Sequence, residues 1–83
     1  MRVHPEIVVR KSPDGSAVLF HSGSGEMFNM NPTATFIWDR LAEGLDRSAI
    51  LTKLSEVTDP GPDAATDLDQ FIADLIHRGF LSE

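Results

Sequence analysis

Glu26-Met27-Phe28-Asn29-Met30-Asn31-Pro32-Thr33-Ala34-Thr35-Phe36-Ile37-Trp38 changes its periodicity halfway along. Up to Met30 the stretch reads as a short strand. Met27 and Asn29 fall on one face, and Glu26, Phe28 and Met30 on the other. From Asn31 it reads as a helix. Asparagine is a favoured N-cap and proline suits the first helical position, where its missing N–H costs nothing. Phe36, Ile37, Leu41 and Ala42 then recur at helical spacing, with Trp38 beside them. Gly44 stands where a helix end needs a left-handed residue. A strand therefore ends and a helix of about residues 32–43 begins at this junction.

Toward the N-terminus the pattern stays that of strands. Ile7-Val8-Val9 is a β-branched run, and Lys11-Ser12-Pro13-Asp14-Gly15 is a strong turn signal. Ala17 to His21 is a second apolar run, and Ser22-Gly23-Ser24-Gly25 is the next turn. Three short strands joined by tight turns predict an antiparallel meander within residues 5–31.

Toward the C-terminus the pattern is helical. Asp46 can cap a helix of about 47–56 with the stripe Ala49, Ile50, Leu54 and Val57. Asp59-Pro60-Gly61-Pro62 breaks the chain. Asp63 can cap a longer helix that ends near Arg78, with Gly79 behind it and Phe80-Leu81 folding back as an apolar clip. The expected architecture is one α+β domain over residues 1–83: a three-stranded antiparallel sheet followed by three helices within 32–79, packed on one side of it.

On the third helix Ala64, Leu68, Phe71, Ile72, Leu75 and Ile76 span an arc of about 140°. Asp67, Asp74 and Arg78 line one border of the arc, next to Phe71, and Asp69 lies on the other. Asp74 and Arg78 also form an i,i+4 pair of the stabilising orientation. The arc reads either as a core stripe with solvated flanks or as a partly exposed apolar groove with an acidic lip.

Bulk properties narrow the function. The chain has 83 residues, an apolar fraction of 41%, a net charge of −6 and no cysteine. Such a length holds one modest core and no deep catalytic cavity. The absence of cysteine removes thiolate chemistry and favours a reducing compartment. The apolar run near the N-terminus is too short for a signal peptide or a membrane span, so a cytoplasmic location is expected. An acidic surface repels phosphate backbones and attracts basic partners.

No reactive constellation is legible. The serines fall mostly in turns or caps, where serine is usual. His4, His21 and His77 lie far apart without zinc-ligand spacing. Asp63, Asp67, Asp69 and Asp74 lack the calcium-loop pattern. Gly23-Ser24-Gly25 has neither the Lys-Ser/Thr nor the following helix of a phosphate loop. No enzyme activity, metal or cofactor is expected.

Met30-Asn31-Pro32-Thr33-Ala34 followed by Phe36-Ile37-Trp38, the segment Leu41 to Leu54, and Asp67 to Leu81 with its ending Leu75-Ile76-His77-Arg78-Gly79-Phe80-Leu81 together resemble the PqqD-like proteins. These are small recognition elements for ribosomally made, post-translationally modified peptides. The run Ala17-Val18-Leu19-Phe20-His21 departs from the members that serve pyrroloquinoline quinone synthesis. The chain looks closer to the stand-alone leader-binding proteins of lasso-peptide clusters.

The resemblance implies a winged helix-turn-helix that binds a precursor leader peptide as an added strand between the third strand and the third helix. It implies delivery to a transglutaminase-like cysteine peptidase and an asparagine-synthetase-like cyclase, with no cofactor, nucleic acid or membrane. The implied edge is Glu26, Met27, Phe28, Asn29 and Met30. The implied opposite wall is Phe71 with Leu75, and Asp67 and Asp74 would meet basic leader residues. Met30 reads equally as core. Two other functions fit the same elements: a DNA-binding winged helix, disfavoured by four Asp and one Arg on the third helix, and a subunit docking by its second helix on a larger enzyme.

Overall fold

The computed structural model describes residues 2–57, 61 and 63–82. Strands β2 (Ile7–Lys11), β3 (Ala17–His21) and β4 (Met27–Met30) follow a short β1 (Arg2–Val3). Helices α1 (Pro32–Ala42), α2 (Arg47–Val57) and α3 (Ala64–His77) come next, and β5 (Leu81–Ser82) ends the described chain. The β-meander and the three helices match the sequence expectation in type and order. The Asp59-Pro60-Gly61-Pro62 break lies outside the described residues except for Gly61.

The main sheet is antiparallel, in the order β2-β3-β4. Val9 pairs with Leu19, and Leu19 with Phe28. Alternation sends Ala17, Leu19, His21, Phe28 and Met30 toward the helices, and Val8, Phe20, Met27 and Asn29 toward solvent. β4 begins at Met27, one residue later than the sequence suggested. Glu26 contributes its carbonyl, which accepts from the His21 N–H at 2.9 Å.

Helix ends follow their capping chemistry. The Asn31 side chain accepts from the Ala34 N–H at 2.8 Å, and the Asp46 side chain from the Ala49 N–H at 2.9 Å. Gly44 and Gly79 take φ of +90° and +81°. Behind each, two N–H groups turn back on the helix: Gly44 to Leu41 and Leu45 to Arg40, then Gly79 to Ile76 and Phe80 to Leu75. This is the Schellman arrangement, which only glycine enters without strain. The expected cap at Asp63 is different: its side chain accepts no capping hydrogen bond. Its backbone carbonyl instead takes the Asp67 N–H at 2.8 Å.

The core joins the inner sheet face to all three helices. Leu19, Trp38, Ile50, Leu68, Leu75 and Phe80 are its most enclosed large side chains. Val57 and Ala42 are exposed, contrary to the expected stripes. Each ends its helix, where the periodic face has already run past the core. The Phe80-Leu81 clip is more than a fold-back. β5 pairs antiparallel with β1, Val3 opposite Leu81, so the described ends of the chain close on one another. Lys11 ties β2 to Asp39 of α1 at 2.9 Å.

Candidate peptide-binding groove

β4 is an edge strand, since β3 is its one partner among the described residues. Antiparallel ladders alternate hydrogen-bonded and non-bonded pairs. Counting from the bonded pair His21–Glu26, the pairs Leu19–Phe28 and Ala17–Met30 are bonded, while Phe20–Met27 and Val18–Asn29 are not. The N–H and C=O groups of Met27 and Asn29 therefore point away from β3. They form an open polar edge that another extended chain can satisfy.

α3 runs alongside this edge and opposite in direction to β4. Near its C-terminus the Arg78 guanidinium lies 5.2 Å from the Phe28 ring centroid, at the start of β4. Near its N-terminus Asp67, Leu68 and Phe71 share a hollow of about 290 Å³ with Asn31, Thr33 and Ala34, just past the end of β4. A second, open hollow of about 620 Å³ follows α3 along Asp67, Gln70, Phe71, Asp74 and His77. Asp67 and Phe71 line both, so the two hollows adjoin as a groove along α3. Beside it Phe28 and Phe71 meet edge to face, with ring centroids 6.0 Å apart. Phe28 also leans on the buried Phe80, which fixes its ring from below.

The structure sorts the expected site residues. Met27 and Asn29 hold the free backbone edge, and their side chains lie on the outer sheet face. Phe71 is half-buried in the groove, with Asp67 and Asp74 along it, and the half-buried Phe28 meets Phe71 at its side. Met30 takes the core reading that the sequence also allowed, and Leu75 is a correction. They are 3% and 0% exposed, so both side chains belong to the core, and neither presents a surface to a ligand. Leu75 lies four residues beyond Phe71, on the inner part of the arc. Glu26 stands before the strand.

Charge around the groove also differs from a uniform acidic lip. On the other border of the arc, Arg47 of α2 holds the Asp69 carboxylate with two N–H groups. The hydrogen bond to Asp69, and then its charge, push the exposed Arg47 guanidinium above its usual pKa. Asp74 accepts from the Arg78 Nε at 3.3 Å. Among the described residues Asp67 has no ion-pair partner.

Residues missed from sequence lie elsewhere. His4 and His21, distant along the chain, bring their rings to 4.5 Å. The His21 Nδ1 accepts from the N–H groups of Gly23 and Ser24 at 3.1 and 3.2 Å, so the ring shapes the β3–β4 turn. No cluster of three metal-ligating side chains occurs among the described residues. On the outer sheet face Val8, Phe20 and Met27 form an exposed apolar row across the three strands. Nothing in the sequence pattern flagged that row beyond ordinary alternation. No described helix is long and apolar enough to cross a membrane.

Comparison with known proteins places the chain. Residues 16–81 match the family described as coenzyme PQQ synthesis protein D (PqqD). No curated protein matches. Two solved structures share the fold. One is TbiB1 in complex with the TbiA(beta) leader peptide, 24% identical, with a TM-score of 0.89 over 99% of this chain and 95% of that one. The other is a lasso peptide synthetase B1 complexed with the leader peptide, 29% identical, with a TM-score of 0.85 over 99% and 96%.

Proposed function

This chain belongs to the PqqD family, and from that premise we propose that it is a non-catalytic recognition element for the leader segment of a ribosomally made precursor, of the lasso-peptide kind. The observation that carries the reading is the open β4 edge beside α3, joined to it by the Phe28–Phe71 contact. The resemblance to a lasso peptide synthetase B1 complexed with its leader peptide points the same way.

Binding by strand addition suits the chemistry. A leader laid along β4 would exchange hydrogen bonds with Met27 and Asn29. Every second side chain would then drop toward Phe71 and the hollow behind it. Main-chain bonds supply affinity for any extended peptide, and the groove side chains supply selection. Met27 and Asn29 would form the backbone edge and Phe28, Asp67, Phe71 and Asp74 the lining. We assign the covalent steps to separate partners, a leader peptidase and a cyclase, to which this domain delivers its peptide in the cytoplasm.

The DNA-binding alternative gains nothing from the helices. The groove side of α3 carries Asp67 and Asp74 against the single Arg78, and Arg47 is engaged by Asp69. Phosphate recognition needs the opposite balance.

The test is a titration of the labelled domain with a synthetic leader peptide of the lasso-peptide kind. Micromolar or tighter binding, on the order of −8 kcal/mol, is expected. The amides of Met27 and Asn29 should become protected from exchange. A titration that perturbs α2 and leaves residues 26–30 unchanged would place the site elsewhere.

A further inference from the structure

Arg78 has a position that its pairing with Asp74 does not explain. The guanidinium crosses from the end of α3 to lie over the Phe28 ring of β4. It uses a single Nε–H on Asp74, at 3.3 Å. Among the described residues its other N–H groups have no hydrogen-bond partner. Arginine carries five donors in a planar fork suited to a carboxylate. The side chain is 42% exposed, so these donors are accessible beside the Phe28 ring.

Asp67 stands at the other end. Eleven residues of helix separate it from Arg78, a rotation that returns to within about 20° of the same face. The two charges therefore bracket the Phe28–Phe71 contact, Asp67 without an ion-pair partner among the described residues and Arg78 with open donors beside Asp74.

On the reading that this groove takes a peptide strand, we infer that Asp67 and Arg78 fix the direction and charge register of the peptide. A strand added antiparallel to β4 runs in the direction of α3, since α3 and β4 oppose each other. It enters beside Asp67 and leaves beside Arg78. The helix rises about 16 Å between these residues, which an extended chain covers in about five residues. The preferred ligand carries a basic residue and, about five positions later, an acidic one. The acidic residue takes the open donors of Arg78, over the face of Phe28. A peptide with the two charges exchanged meets like charge at Asp67 and leaves the open donors of Arg78 without an acceptor.

The experiment is a selection of displayed random dodecapeptides against the intact chain, with binders sorted by their loss on Asn29→Pro, which removes an edge N–H. Wild-type protein should select the order basic then acidic. The Arg78→Glu variant should select a basic residue at the second position, and Asp67→Lys an acidic one at the first. A synthetic peptide from the wild-type pool should bind Arg78→Glu about tenfold or more weakly and recover when its acidic residue is changed to lysine. Arg78→Gln, which removes charge without reversing it, should give an intermediate loss. Edge-dependent binders with no charge order, or unchanged affinity in both Arg78 variants, would overturn the inference and leave the peptide-binding reading standing. A wild-type pool with no edge-dependent binder would overturn both.

Discussion

Phe28 on β4 and Phe71 on α3 meet edge to face at 6.0 Å, and this contact spans the groove between an unpaired strand edge and a helix. Phe71 is half-buried, whereas Leu75, one turn on, is wholly enclosed. Removing them should separate binding from folding. Leu75→Ala should cost about 2–5 kcal/mol, the range for a core leucine, and so threaten a domain of marginal stability. Phe71→Ala should cost about 1–2 kcal/mol, below the full core value for phenylalanine. The domain should stay folded while leader affinity falls at least tenfold. Urea unfolding and fluorescence anisotropy on the two variants check this. Equal destabilisation by both would make Phe71 a core residue.

The alternation of β4 gives a second expectation. Asn29 has its N–H on the free edge, and Phe28 has its N–H in the ladder with Leu19. Proline is tolerated in strands where its missing donor faces solvent. Asn29→Pro should therefore keep the circular dichroism spectrum and lose peptide binding. Phe28→Pro should unfold the sheet. A folded Asn29→Pro that binds the leader normally would exclude strand addition on this edge.

The groove carboxylates are not equivalent. Asp74 is already partnered by Arg78, and Asp67 has no ion-pair partner among the described residues. Asp67→Ala should weaken leader binding by about 1–3 kcal/mol, the range for a hydrogen bond to a charged group. Asp74→Ala should weaken it less, because it also releases Arg78. Neither should move the melting temperature appreciably, since exposed ion pairs contribute little. The salt dependence of binding should shrink in Asp67→Ala, where an attraction between unlike charges is lost. Isothermal titration at two ionic strengths distinguishes this from a merely solvated helix face.

The fold was legible where local chemistry decides it. Asn31-Pro32 marks the strand-to-helix junction, and Gly44 and Gly79 mark helix ends, because capping and left-handed turns depend on few residues. The groove was half legible. Periodicity put Phe71 on the border of an apolar arc beside Asp67 and Asp74, yet the same periodicity included Leu75, which lies inside. An arc gives the angular order of side chains and not the depth to which each is covered. The Arg47–Asp69 pair, the reach of Arg78 to Phe28 and the His4–His21 contact were not legible, since each joins residues through tertiary packing. The pairing of Arg2-Val3 with Leu81-Ser82 was missed for a related reason. Two residues show no alternation, and what aligns them is the enclosure of Leu81 by the rest of the core.

That enclosure makes the last prediction. Leu81 is 3% exposed and follows Phe80, which is fully buried. The His4 N–H donates to the Phe80 carbonyl at 3.1 Å, so the chain beyond α3 is fastened to the segment after β1. A two-residue strand beyond the last helix has few contacts to hold it, and substitutions in such segments ordinarily cost little. Here the side chain fills the core beneath β1 and α3, and its loss leaves a cavity. Leu81→Ala should therefore cost about 2–5 kcal/mol, as for an interior leucine, while Ser82→Ala, which removes only a weak 3.5 Å contact to the Arg2 carbonyl, should be nearly neutral. Because Phe80 also supports the Phe28 ring, loosening the clip should reduce leader affinity in parallel with stability. Chemical denaturation gives the first quantity and anisotropy the second. A cost for Leu81→Ala as small as that of Ser82→Ala would mean that β1 and β5 fray in solution, and that the groove floor is held by α3 alone.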